Sequence, residues 1–233
     1  MRIRDIEVIG LVGATPEGGW SNELKPDDSV HTLVVVRTDE GIDGYGGAFT
    51  NAGLVRAAVA VLESLWRDEA ANEPERVSEK LHQNTFWMGR GGSLTHTISA
   101  IDIALWDIFG KVTGQPVGRL LGGRHRERVK PYASVLMDHP GPLREQMHRL
   151  REAGYRAVKM GWGPFGRVSH ALDEVIVRTA REALGPDIDL MVDAGASDAY
   201  WPNGYAWALR TSKMLVDYDV VWFEEALRPD ALD

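Results

Sequence analysis

The chain has 233 residues, is 44% hydrophobic and 26% charged, carries a net charge of −8 and contains no cysteine. That size and apolar share suit one or two globular domains with a sizeable core. The acidic balance argues against a nucleic-acid surface, and the absent thiols exclude disulfides, thiolate zinc sites and cysteine nucleophiles.

Met1-Arg2-Ile3-Arg4 leads directly into a strand-like stretch, Arg2–Leu11. No signal-peptide core follows and no run is long enough to span a bilayer, so a cytoplasmic protein without membrane contact is expected. Gly13–Ser29, rich in Gly, Pro, Asn and Asp, reads as a long surface loop with Trp20 at its centre. His31–Thr38 and Ile42–Phe49, joined through Asp39-Glu40-Gly41, read as a hairpin that completes an antiparallel meander. A helix follows, with Leu54, Ala58, Val61, Leu62 and Leu65 on one face. Pro74 suits a first helical position, with Val77 and Leu81 as its buried stripe. After the loop Gly89–Ser93, Leu94–Thr113 is apolar on most of its circumference, so a largely buried helix is predicted, stopped by Gly114 and Pro116.

The rhythm then changes. Val129–Ser134, Tyr155–Lys159, Ile188–Val192 and Asp219–Phe223 read as strands, separated by helices that Gly154 and Gly185-Pro186 help to end. Strands alternating with helices predict a parallel sheet or barrel, with the boundary between the two regions near Gly122–Arg128. Only four such strands are present, whereas a complete βα barrel needs ~250 residues. The chain is expected to be either a small open α/β sheet or a piece of a longer protein.

Lys159, Asp193 and Glu224 each close an apolar run, 34 and then 31 residues apart, close to the ~30 or more residues of a βαβ unit. The C-terminal strand ends are where βα barrels do chemistry. Two carboxylates there suit a hard divalent cation such as Mg²⁺, with waters and substrate oxygens completing the shell. Beside a cation, Lys159 is expected to have a depressed pKa and to act as a proton acceptor. Taken singly, each residue has a plain reading as a loop starter; the shared period favours the site. Strand alternation sends Glu224 and Glu225 to opposite sides, so that one can be a ligand and the other a salt-bridge partner. Trp20, Arg90 and Trp162 are candidate substrate contacts, weighed against a plain reading as loop residues. The seven histidines show no metal spacing. The glycines of Gly44–Phe49 lie in a hairpin, which discounts a dinucleotide fingerprint.

The segment SAIDIALWDIFGKVTGQPVGRLLGG (Ser99–Gly123) resembles the enolase superfamily, in its mandelate racemase and muconate-lactonizing branch, and Thr38–Ala48 is similar to that family's capping-domain hairpin. The resemblance implies an α+β capping domain over residues 1–123. A partial (β/α) TIM-type barrel, about the first four strands of eight, would follow over residues 124–233. It implies Mg²⁺ held by acids on three successive strands, with Asp193 and Glu224 as the first two and the third beyond this chain. The implied chemistry is removal of the proton α to a carboxylate, with Lys159 as base or electrostatic stabiliser, since sites of this superfamily set a Lys or His base beside Mg²⁺. Three positions depart from the family pattern: Gly161 stands where a second lysine is frequent, Gly195 where an asparagine is usual, and Ala226 where a proline is usual. Gly161 argues against two-base racemisation, so a sugar-acid dehydratase acting on an aldonate or aldarate is expected. A racemase, epimerase or cycloisomerase is the alternative, and a catalytically incomplete fragment is the other. The full-length protein is expected to be a homo-oligomer.

Overall fold

The computed structural model of the chain describes residues 1–11, 31–197 and 201–231. They fall into two compact units, Met1–His125 and Arg126–Asp233. Trp20 and the rest of the Gly13–Ser29 segment lie outside the described residues.

In the first unit β1 (Ile3–Leu11), β2 (His31–Thr38) and β3 (Asp43–Ala48) form an antiparallel sheet in that order. The β2–β3 turn is fixed by Thr38, whose Oγ1 donates to the Ile42 carbonyl at 2.8 Å and accepts from the Ile42 amide at 3.1 Å. Helices α1 (Ala52–Val61) and α2 (Glu63–Trp66) follow, with Asn51 capping α1 through the Gly53 amide at 2.8 Å. The buried stripe here is Ala52, Val55, Val59, Leu62 and Trp66. Leu54 and Val61, expected inside, face solvent, because the helix turns its 3.6-residue period on a different phase.

α3 (Pro74–Gln83) starts on Pro74 and buries Val77 and Leu81. A single 3₁₀ turn, Phe86–Met88, leads to α4 (Gly92–Thr113), which ends where Gly114 takes a left-handed conformation, and to α5 (Val117–Leu120). α4 buries one face only: Ile98, Ile101, Ala104, Leu105 and Ile108 are inside, while Ile103 is half exposed. The all-round apolar pattern therefore overstates its burial. β3 lies directly on α4. A Cβ at Gly44 or Gly46 would overlap the backbone carbonyl oxygens of Ala104 and Ala100. The glycines of this hairpin serve close packing of a strand on a helix.

The second unit alternates β4 (Ala133–Leu136), α6 (Pro140–Glu152), β5 (Ala157–Gly161), α7 (His170–Leu184), β6 (Asp189–Asp193), α8 (Tyr205–Val216) and β7 (Val220–Glu224). The strands form one parallel sheet in the order β4-β5-β6-β7, the strand–helix repeat of a TIM-type barrel over four strands. β4 begins four residues later than the apolar pattern suggests. Pro131 has no amide to donate to a ladder, and Val129 is 81% exposed. β5 runs two residues past Lys159, to Gly161. Val158, Met160, Leu190 and Val192 join the core with Leu143 and Met147 of α6 and Ile176, Val177 and Ala180 of α7. Lys159, Gly161, Met191 and Asp193 alternate onto the opposite face.

Arg181 of α7 ties the N-terminal ends of β6 and β7 together. Its guanidinium donates to the carbonyls of Gly185 (2.9 Å), Ile188 (2.8 Å), Tyr218 (2.9 Å) and Asp219 (3.0 Å). No helix among the described residues is long and apolar enough to cross a membrane.

Candidate active site

The parallel register places Gly161, Asp193 and Glu224 level with one another across β5, β6 and β7. Lys159 sits one pleat lower, paired with Ser134 and Met191. Its side chain reaches up that face, and Nζ donates to Asp193 Oδ2 and to Glu224 Oε2, each at 2.9 Å. Asp193 is 2% exposed and Lys159 12%, whereas Glu224 is 40% exposed and opens the cluster to solvent. The three residues that share a structural period are thus brought to one point.

Further bonds orient the carboxylates. Asp193 Oδ1 accepts the Gly195 amide at 3.0 Å, and Glu224 Oε2 accepts the Trp222 indole Nε1 at 3.3 Å. Trp222 belongs to no sequence motif, although its i, i+2 spacing from Glu224 puts both on one strand face. Gly161 carries no side chain at this level. A Cβ there would stand 3.0 Å from Asp193 Cβ and 3.2 Å from its carbonyl oxygen, so the glycine leaves the flank of Asp193 clear.

Burial pulls the Lys159 pKa down, but hydrogen bonds to Glu224 and Asp193 and their charges outweigh it, holding the ammonium above the ordinary lysine range. The depressed value expected beside a cation is reversed in this arrangement, because Lys159 itself is the cation that the two acids face. That observation also tests whether a metal fits. Two carboxylate oxygens already converge on a single positive atom, and both are hard ligands of the kind Mg²⁺ takes. No group of three metal-ligating side chains occurs among the described residues. Asp193 and Glu224 would be the described residues' contribution to such a shell.

Glu225 departs from strand alternation. It takes a left-handed conformation, φ 47°, and accepts a bond from Ser197 Oγ at 2.6 Å, with no salt bridge among the described residues. Arg90 belongs to the first unit, where it lines a cavity of about 560 Å³ with His82, Thr85 and Thr95. Trp162 opens the loop after β5, next to the cluster in sequence, and its amide donates to the Asp193 carbonyl at 3.2 Å. The same loop is anchored from below by Asp173, a fully buried carboxylate that accepts the Gly166 amide at 2.8 Å and the Trp207 indole at 3.2 Å. Neither Asp173 nor its partners carries a sequence signal, since the contacts join residues from separate elements.

Residues 27–122 match the family described as mandelate racemase / muconate lactonizing enzyme, N-terminal domain, and residues 142–233 match that described as enolase C-terminal domain-like. A D-galactarolactone cycloisomerase of Agrobacterium fabrum is 31% identical over 220 residues, covering 91% of this chain and 55% of that protein. A D-galactonate dehydratase of Xanthomonas euvesicatoria pv. vesicatoria is 36% identical over 166 residues, 68% of this chain and 43% of that one. The crystal structure of a 3,6-anhydro-D-galactonate cycloisomerase from Zobellia galactanivorans superposes with a TM-score of 0.80 at 27% identity, covering 99% of this chain and 60% of that chain. The chain spans about half the length of the curated relatives it matches.

Proposed function

We propose, from the premise that this chain belongs to the mandelate racemase / muconate lactonizing enzyme family of the enolase superfamily, that it carries part of the active site of a sugar-acid dehydratase. Residues 1–123 are read as the α+β capping domain and residues 124–233 as the opening strands of the barrel. The reaction begins with loss of the proton α to the substrate's carboxylate. The observation that carries this reading is the meeting of Asp193 and Glu224 on one ammonium, 2.9 Å from each, at the C-terminal ends of neighbouring parallel strands.

Asp193 and Glu224 would hold Mg²⁺, which when bound supplies positive charge to the substrate carboxylate as a Lewis acid and so makes the α C–H ionisable. Lys159 is charged in the arrangement described, and as an ammonium it would hold a carboxylate oxygen of the substrate by a charge-assisted hydrogen bond. As a proton acceptor it would need to be neutral. Drawing the two acids away from Nζ removes what retains its proton. Gly161 offers no second base on β5, which supports dehydration over two-base racemisation. A second reading, a cycloisomerase of sugar-acid lactones, is favoured by the Agrobacterium fabrum relative, and the α-proton step is common to both. The substrate is a small hydroxylated carboxylate, and the working protein is read as a cytoplasmic homo-oligomer.

The test is exchange of the substrate α-proton for deuterium, followed by ¹H NMR with Mg²⁺ and a panel of aldonates, aldarates and lactones. It is run on this chain and on the longest polypeptide that carries it. Exchange should require Mg²⁺ and fall about 100-fold or more in Lys159→Met and Asp193→Asn. Exchange indifferent to both substitutions, or absent from every acid in the longest polypeptide, would overturn the reading.

A further inference from the structure

Trp162 is held at the mouth of the site in a way that the proposed chemistry does not use. Its backbone is left-handed, φ 56°, a conformation that is strained for a bulky L-residue and persists only where the surroundings enforce it. Gly163, next in the chain, is also left-handed, and a Cβ there would overlap the Met137 carbonyl oxygen beyond β4. On the other side the indole lies against Gly195. Any Cβ at position 195 would collide with the ring atoms Nε1, Cδ1 and Cε2. Gly195 is in turn tied to Asp193 Oδ1 at 3.0 Å, and the Trp162 amide to the Asp193 carbonyl at 3.2 Å. The Trp162–Gly163 backbone is therefore packed against the exit of β4 while the ring lies on Gly195 after β6, beside Asp193, and Trp162 stays partly exposed.

We propose that Trp162 is the specificity-determining wall of this site. Its indole face packs on the C–H face of the carbon chain of a polyhydroxylated carboxylic acid whose carboxylate end lies at Asp193, Glu224 and Lys159. Gly195 is the complementary element, because only a residue without a Cβ lets the ring lie there. An aromatic face binds a polyol chain through its C–H groups while the hydroxyls remain hydrated, so it selects for chain length and not for carboxylate alone. The proposal rests on the reading of the Asp193–Glu224–Lys159 cluster as the carboxylate-binding end.

The experiment titrates D-galactonate, and separately the two-carbon acid glycolate, into the Mg²⁺-containing protein. Calorimetry reads affinity, and ¹⁵N–¹H NMR reads the indole signals. The Trp162 signal is the one missing from Trp162→Phe. That signal should shift with galactonate and stay in place with glycolate. Trp162→Ala should weaken galactonate about tenfold, the size of one lost packing contact of about 1.4 kcal/mol, with glycolate unchanged. Galactonate binding that Asp193→Asn abolishes, but that leaves the Trp162 signal still or survives Trp162→Ala intact, overturns this proposal alone. A wild-type protein that binds neither acid overturns it together with the reading of the cluster. The wild-type NMR titration decides the matter even if Trp162→Ala does not fold.

Discussion

Asp173 is a charged side chain with no exposure to solvent. Burial raises its pKa above the ordinary carboxylate value of 3.8, and the bonds from Gly166 and Trp207 and the nearby His170 offset this only in part. Below pH 3.8 folded and unfolded chains are both protonated there, and the residue is neutral to stability. As pH rises, the unfolded chain releases its proton first, so stability falls until the folded carboxyl also ionises and is constant thereafter. Asp173→Asn removes that slope and leaves one acceptor for two donors. The urea midpoint of the variant minus that of the wild type should therefore increase from pH 3.8 towards neutrality. A difference independent of pH would show that Asp173 titrates as if it were in water.

At the scale of elements, the packing of β3 on α4 is set by two glycines. Gly46→Ala forces a methyl group into the Ala100 carbonyl, and neither the strand nor the helix backbone can yield cheaply. We expect a loss of about 3 kcal/mol or more in the first unit, read by chemical denaturation, against little effect from Gly47→Ala, where a Cβ meets nothing. Much of this level was legible in the sequence. The meander, the Pro74 start of α3 and the strand–helix alternation follow from residue type and period. So does the meeting of Lys159, Asp193 and Glu224, because three apolar runs ending one period apart map onto neighbouring strand ends. The helical phase at Leu54 and Val61 was not legible, since a short apolar segment fits two faces almost equally. The Trp162–Gly195 contact was not legible either. It joins residues 33 positions apart through backbone conformations that no local pattern reports. The charge state of Lys159 depends on which cation the two acids face, and that is a property of the assembled cluster.

For the whole molecule, the decisive feature is a parallel sheet whose outer strands, β4 and β7, each pair on one side only among the described residues. Leu136 on β4 is 68% exposed, and Val221 and Trp222 on β7 are 55% and 41% exposed. Open ladders flanked by apolar side chains favour pairing with another chain, while a net charge of −8 opposes it. The 233-residue polypeptide should therefore associate as concentration and salt rise, as read by light scattering after gel filtration. A strictly monomeric protein across that range would show that the edges are covered.

Arg181 grips four carbonyls at the end of β6 and β7 that lies opposite Asp193 and Glu224. On the reading proposed above, cohesion and ligand contact fall to different stretches of the polypeptide. A lineage can rewrite the segments that follow β5, β6 and β7 and acquire new substrates while the chassis beneath them is inherited unchanged. The same partition gives a protein engineer interchangeable heads for a common body.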